Sequence, residues 1–215
     1  ERTISDAFDQ SSSGESLVNM MDLDLLVGSG GVLSHAPRRE QSAKMLIDSF
    51  MPEGITQLAV DSIFMMPQLG VLANIDKKDI SEEARNAALE VFHKDCLIRL
   101  GTCITPVGKV KDNSIVLNAS IKFPNGEKVL KEIKKNELIR IEAKFEPLDA
   151  ELTPHKSMDI GAGKGETIKA KIFGGVVGLI FDGRERPITL PSNKEKRLSL
   201  LKGWSDALNE YPKKS

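Results

Sequence analysis

The 215-residue chain is poor in several features that usually mark a function. Its 30 lysines and arginines balance 31 aspartates and glutamates, so it has no basic excess for nucleic acid, and we expect no such partner. Aromatic residues make up only 5%, which predicts an aliphatic core. The two cysteines, Cys96 and Cys103, suit a reducing compartment such as the cytoplasm. A disulfide between them is the less favoured alternative.

Long hydrophobic runs and metal-ligand motifs are also missing. No apolar stretch reaches the roughly 18 residues of a membrane span, and no signal peptide is visible, so we expect no membrane association. His35, His93 and His155 are scattered, and no CxxC or HxxxH spacing occurs. We therefore predict no metal site. No nucleophile and base stand at an informative spacing, so no catalytic residue is assigned.

Residues 1–95 alternate helical and short apolar segments, which is typical of an α/β layer. Two apolar runs, "LDLLVGS" and "TQLAVD", predict buried strands. "ESLVNMM" and "REQSAKMLIDSFMP" predict helices, and the second places Ala43, Leu46, Ile47 and Phe50 on one face. "SEEARNAALEVFHKD" begins with a serine N-cap before two acids and predicts another helix.

Residues 96–215 follow a different pattern. "DNSIVLNASIKFPNGEKVLKEIKKNELIRIEAKFEP" alternates apolar and polar residues, which predicts antiparallel strands. Asn125 and Gly126 are expected to supply positive φ angles in a hairpin turn. "ETIKAKIFGG", "VVGLIFDG" and "RPITLP" predict further strands, and "NKEKRLSLLKGWSDAL" predicts a terminal amphipathic helix. The expected fold class is α+β: an α/β part, then an antiparallel β domain with a C-terminal helix.

A glycine cluster stands where the first apolar strand ends, in "LLVGSGGVLSHAP" over residues 25–37. Ligands of open α/β sheets bind beyond the carboxyl ends of strands. Glycine lets a flat ring or a phosphate approach the main chain. The pattern is neither G-x-G-x-x-G nor a P-loop. From the glycines alone, a nucleotide site and a tight structural turn are about equally supported.

The segment "LLVGSGGVLSHAP" resembles the adenosine motif of the actin-like ATPase superfamily, which has a ribonuclease-H-like fold. Together with "DSIFMMPQLGVLA", "MDIGAGKGE" and "FGGVVGLIFDGRERPITLP", it makes the chain similar to the C-terminal half of the GlmL (MutL) family. That family is associated with coenzyme-B12-dependent glutamate mutase, and its members are regarded as ATP-dependent reactivating chaperones. Residues 1–95 would then be part of the second ATPase lobe.

The resemblance implies a nucleotide site at Gly28, Ser29, Gly30, Gly31, Ser34 and Arg38. It implies ATP, with magnesium in the full-length protein, and two partners: a B12-dependent mutase and the N-terminal remainder of the same polypeptide. The chain opens with Glu1 rather than methionine, and we expect it to be a fragment. No phosphate motif or catalytic acid is found, so we expect this fragment alone not to hydrolyse ATP. The alternatives are a non-catalytic scaffold module and a sugar- or acid-kinase-like enzyme.

Two further segments are candidates for a partner-binding surface: Gly161, Gly163 and Lys164 in "DIGAGKGE", and Arg184 with Arg186 after Asp182. The alternative for the first is a structural turn, since no helix follows to favour an anion. The alternative for the arginines is a solvated hairpin turn. "SIFMMPQLG" is interpreted as core filler, with a peptide-binding surface as the alternative. His35 is expected to stack on a base or to be exposed.

Overall fold

The computed structural model describes residues 18–75 and 79–212. Within these ranges the chain forms five α-helices and eleven strands, besides a 3₁₀ turn at Met20–Asp22 and a π-helical turn at Phe92–Cys96. The helices are α1 (Gly31–Ser34), α2 (Arg39–Phe50), α3 (Met66–Asn74), α4 (Glu82–Val91) and α5 (Lys194–Leu208). The strands are β1 (Leu25–Gly28), β2 (Gly54–Asp61), β3 (Leu97–Thr105), β4 (Val107–Gly108), β5 (Ile115–Lys122), β6 (Lys128–Lys134), β7 (Leu138–Ile141), β8 (Pro147–Pro154), β9 (Met158–Asp159), β10 (Ile168–Phe173) and β11 (Gly178–Asp182).

A five-stranded mixed sheet organises the molecule, with the strand order β1-β2-β3-β11-β7. Strand β1 runs parallel to β2, and β11 runs parallel to β3, while β2 and β3 are antiparallel. The residues on the two sides of the predicted 95/96 boundary therefore share one sheet. The first apolar run forms an edge strand, β1, whose residues are mostly only partly buried. It was expected to be covered on both faces, and that prediction is wrong because β1 has a partner strand on one side only.

A second sheet is wholly antiparallel, with the order β10-β8-β5-β6. It confirms the antiparallel strands predicted from the alternation after residue 113. The hairpin between β5 and β6 also forms, closed by hydrogen bonds between Phe123 and Glu127 and between Gly126 and Phe123. Only Gly126 has a positive φ, of 87°. The expectation that Asn125 would share that conformation is therefore wrong.

The two sheets and the helices form three layers. Leu179 and Phe181 of β11 point into a core shared with the four-stranded sheet, where they meet Leu117, Ile121 and Leu152 among others. Ile180 points to the other face, into a core that contains side chains of α2 and α5. Every residue of β11 is buried, because this strand has a packed layer on each side of its sheet.

Most predicted helices form, and their buried faces follow the sequence periodicity. Ala43, Leu46 and Ile47 of α2 are fully or almost fully buried. Ser81 caps α4 by accepting a hydrogen bond from the backbone N–H of Ala84. Pro67 stands in the first turn of α3, where proline is tolerated, so it begins a helix that it was expected to break.

Two predictions fail near the termini and near residue 190. "ESLVNMM" lies partly outside the described residues, and its described end joins the 3₁₀ turn at Met20–Asp22. The segment "FGGVVGLIFDGRERPITLP" is not a hairpin: β11 pairs with β3 and β7, and no strand follows it. Cys96 and Cys103 are both free and buried. Within the described ranges, no helix has the length and apolarity that a membrane span requires.

The terminal helix α5 offers a direct test of the layer arrangement. Leu208 is fully buried, whereas Leu198 on the same helix is 55% exposed. We expect Leu208→Ala to lower the free energy of unfolding by about 2–5 kcal/mol through the cavity it leaves. Leu198→Ala should change it by no more than about 0.5 kcal/mol. Urea denaturation measures both, and equal effects of the two substitutions would contradict the docking of α5.

Candidate functional site

The glycine cluster forms the turn between β1 and α1, as the sequence predicts. Gly28 ends β1, Ser29 is exposed, Gly30 precedes the helix and Gly31 is its first residue. The N–H groups of Leu33 and Ser34 donate hydrogen bonds to the carbonyl oxygen of Gly30, at 3.1 and 2.9 Å. The turn therefore passes from strand to helix within two residues.

Different physical reasons apply to the three glycines of this turn. A Cβ on Gly28 would lie 2.7 Å from the Leu33 side chain and 2.9 Å from that of Leu46. Gly30 has φ 110° and ψ 154°, a conformation that residues with a side chain avoid. Gly31 has neither constraint, because a Cβ there would meet nothing within 4 Å. The outer side of the turn is thus bare and open at Gly30 and Gly31.

Ser34 and Arg38 are engaged by the protein itself. The Ser34 hydroxyl, which is buried, donates to the carbonyl oxygen of Asp61 at 2.5 Å. The Arg38 guanidinium pairs with Glu40 at 2.9 Å. Both residues stay close in sequence to the glycine turn, but their polar groups already have partners. They give the nucleotide prediction no independent support.

The end of β2 adds a segment that sequence reasoning did not assign to this site. Because β1 and β2 are parallel, Asp61 lies at the same edge of the sheet as Gly28. Its buried carboxylate accepts hydrogen bonds from the backbone N–H groups of Ile63, Met65 and Met66, at 3.4, 3.3 and 3.0 Å. An aspartate that ends an apolar strand was the available signal. Asp61 fixes the loop that leads into α3.

The loop after Asp61 is partly exposed, so its interpretation as core filler is wrong. Ile63 is 56% exposed and Phe64 is 37% exposed. The His35 ring stacks on the Phe64 ring, with 5.7 Å between centroids. His35 is exposed, as one of its two predicted roles requires. These rings extend the surface beside the glycine turn.

Arg184 and Arg186 were expected to be solvated turn residues, and this is wrong. Their side chains are 1% and 3% exposed, and both pair with the fully buried Asp182 at 2.8 Å. The second hydrogen bond from Arg184 to Asp182 is also 2.8 Å long. A carboxylate without these partners would be costly to bury. Because their side chains are taken up in the interior, the structure gives no support to a partner-binding role for them.

The Asp182 cluster connects several layers. Arg184 also pairs with Asp48 of α2 at 2.7 Å, and its guanidinium lies over the Trp204 ring of α5, 4.9 Å from the centroid. Arg186 donates to the carbonyl oxygen of Pro52 and to the Thr105 hydroxyl, each at 3.2 Å. The cluster thus joins two helices to the ends of two strands.

Burial and charge act in opposite directions on the ionisable groups of this cluster. Burial alone would raise the pKa of Asp182, but hydrogen bonds and the positive charges of Arg184 and Arg186 outweigh it and lower the pKa. Burial lowers the pKa of Arg184, and its bonds to Asp182 reverse this and raise it. The nearby Cys103 thiol has its pKa raised to about 12, chiefly by burial, which keeps it protonated and unreactive.

The loop at residues 161–165 is organised around Asp159. The carboxylate of Asp159 accepts hydrogen bonds from the N–H groups of Gly161 and Gly163, at 2.7 and 3.0 Å. These bonds outweigh the effect of burial and lower the pKa of Asp159. The two amides therefore bind an internal anion rather than an external one. Lys164 is exposed and remains available to a partner.

The predicted site residues fall at two opposite edges of the five-stranded sheet. The glycine turn lies where β1 and β2 end and β3 begins. Arg184, Arg186 and the loop near Gly161 lie at the other edge, where β3 and β11 end and β2 begins. The described residues include no group of three or more His, Cys, Asp and Glu side chains that could hold a metal ion.

The fold and the glycine turn define a mixed α/β protein with an open strand-to-helix turn of the nucleotide-site type. The sequence model of the MutL protein family matches residues 9–95, which contain the whole turn. These residues belong to the MutL family associated with glutamate mutase, so the predicted relationship is confirmed for that range. No curated protein and no solved structure matches the chain significantly.

The Asp182 cluster predicts an acid-sensitive stability. Because the folded pKa of Asp182 is lowered, the cluster stabilises the protein above the unfolded pKa of about 3.9. This contribution is lost as the pH falls through the folded pKa. We expect Asp182→Asn to destabilise the protein at neutral pH by about 3–5 kcal/mol, and to make stability fall less steeply in acid.

Urea denaturation over a series of pH values measures both effects. The exposed Asp149→Asn is the matched control, since it makes the same chemical change on the surface of β8. An equal loss of stability in the two variants would show that the buried ion pairs of Asp182 contribute nothing.

Proposed function

We propose that the chain is part of an ATP-binding accessory protein that reactivates a coenzyme-B12-dependent mutase. Two observations support this proposal. The match to the glutamate-mutase-associated MutL family covers residues 9–95. Within that range, the β1–α1 turn offers bare backbone at the carboxyl ends of parallel strands, where nucleotides bind in α/β sheets. The corresponding fold proposal is a partial actin-like ATPase lobe.

Gly31 carries the nucleotide proposal. Packing explains the glycine at position 28, and backbone conformation explains the one at position 30. Neither explains Gly31, which begins a helix and has open space where a Cβ would stand. A ligand that lies flat against the main chain would explain it, because a Cβ would hold an adenine or ribose away from the backbone.

In this role the chain supplies the adenosine side of the site. Ser29, Gly30 and Gly31 would contact the base or ribose, while His35 and Phe64 form an aromatic surface beside them. The described residues offer no cluster of metal-binding side chains. Magnesium and the phosphates would therefore be held by another part of the polypeptide, and no chemical step is assigned to this chain.

A scaffold module without ligand is the second candidate, favoured by the structural reasons for glycine at positions 28 and 30. The substitution Gly31→Ala distinguishes the two, because it causes neither a clash nor backbone strain. We expect it to weaken ATP binding by the complete polypeptide about tenfold or more, if a Cβ displaces the base by even one contact worth 1.4 kcal/mol. Isothermal titration calorimetry measures the change.

Gly203→Ala in α5 is the matched control, since it too adds a methyl group to a helix in open space. Neither substitution should lower the melting temperature, because alanine is favoured over glycine within helices. Unchanged ATP affinity in Gly31→Ala, with both variants folded, would leave the turn a structural feature and favour the scaffold.

For the mutase, the exposed Lys164 in the loop at residues 161–165 is the proposed contact. Removal of all residues beyond 96 would also remove three strands of the five-stranded sheet, so a point substitution is the better test. We expect Lys164→Glu to reduce capture of the mutase by the complete polypeptide, and the exposed Lys169→Glu to leave it unchanged. Equal capture by both variants would exclude this loop from recognition.

A further inference from the structure

A groove of about 750 Å³ opens where β3 and β11 begin. Its walls come from the start of β3, the loop after β7, the loop before β11 and the π-helical turn. We call it the cationic groove and define it by His93, Arg99, Lys144, Phe145 and Val176. It lies at the same edge of the sheet as the glycine turn, because β3 begins where β2 ends.

Two large apolar side chains are exposed in the cationic groove. Phe145 is 55% exposed and Val176 is 58% exposed. The groove holds its shape because the Phe145 ring packs on Phe173, 5.5 Å between centroids, and the Val176 N–H donates to the Arg99 carbonyl at 3.0 Å. Exposed apolar surface held on a fixed frame is typical of an interaction site.

The charged side chains that line the groove are all basic or neutral: His93, Lys94, Arg99 and Lys144. Lys94 pairs with Glu90 outside the lining. Among the described residues, no carboxylate lies within ion-pair distance of Arg99, whose contacts are the Phe145 ring at 5.8 Å and His93 Nδ1 at 3.3 Å. Glu142 stands beside Lys144 in the chain, but it pairs with Arg140.

Arg99 is also partly buried, and this burial lowers its pKa. A guanidinium that has lost water without gaining a carboxylate is poised for one from elsewhere, since a charge-assisted bidentate bond is among the stronger polar contacts. The adjacent Phe145 and Val176 would bury apolar surface of the same ligand.

We propose that the cationic groove docks a short acidic segment of a partner polypeptide, with its carboxylate on Arg99 and an apolar side chain between Phe145 and Val176. The charge of the groove, and the apolar surface that its walls leave exposed, suit an extended chain with alternating acidic and apolar side chains. This docking site is independent of ATP binding at the glycine turn and of Lys164.

Fluorescence anisotropy of a labelled peptide that alternates glutamate with leucine and phenylalanine tests the proposal on the chain as given. We expect saturable binding that Arg99→Gln and Val176→Ser each weaken about tenfold, as expected when a charged or apolar contact of over 1 kcal/mol is lost. The same peptide with glutamine in place of glutamate should bind at least as weakly.

Two matched controls lie on the outer face of the four-stranded sheet. Lys169→Gln removes an exposed cation and Leu130→Ser removes an apolar side chain that is 69% exposed, so neither should change the affinity. The proposal is overturned if the peptide does not bind, if the glutamine peptide binds equally, or if the controls lose as much as the groove variants. It is also overturned if only a small anionic aromatic probe, anilinonaphthalene sulfonate, binds there.

Discussion

The arrangement of the layers depends on one buried carboxylate. Asp182 ends the central strand β11 with no exposed surface, and Arg184 and Arg186 both bind it. Each arginine then reaches another part of the fold: Arg184 contacts Asp48 and Trp204, and Arg186 contacts the carbonyl of Pro52. A charge buried this deeply is tolerated only with complete pairing. The position of α2 relative to β11 and α5 is therefore constrained by directional bonds as well as by apolar packing.

This constraint separates a rigid edge of the sheet from an open one. At the Asp182 edge, charged groups are buried and bound to each other. At the opposite edge, Gly31 has open space, His35 stacks on a partly exposed Phe64, and Arg99 has no carboxylate partner among the described residues. Recognition requires groups whose hydrogen-bonding capacity is unused. The physical contrast therefore favours the open edge for ligands, although the partner-binding arginines were first sought at the other.

Local patterns in the sequence were enough for the elements but not for the pairings between distant residues. The alternation in β5 and β8 and the serine cap of α4 predicted those elements, since each depends on neighbours a few residues apart. The glycine turn was located for the same reason. Arg184 was misjudged because its partner Asp48 is 136 residues away, and an arginine two residues after Asp-Gly resembles a surface turn. The cationic groove was not predicted, because it joins segments near residues 99, 145 and 176 that only the sheet brings together.

The glycine turn shows how a structure can divide a motif that the sequence presents as one unit. Gly28 is required by the side chains of Leu33 and Leu46, and Gly30 by its own φ angle. Any protein with this strand-to-helix turn would keep both, whether or not it binds a nucleotide. Gly31 has no such requirement inside the chain, so it alone bears on function. The weight of the ATP proposal therefore rests on one residue within the range matched by the MutL family, and the neighbouring glycines add fold stability rather than further support.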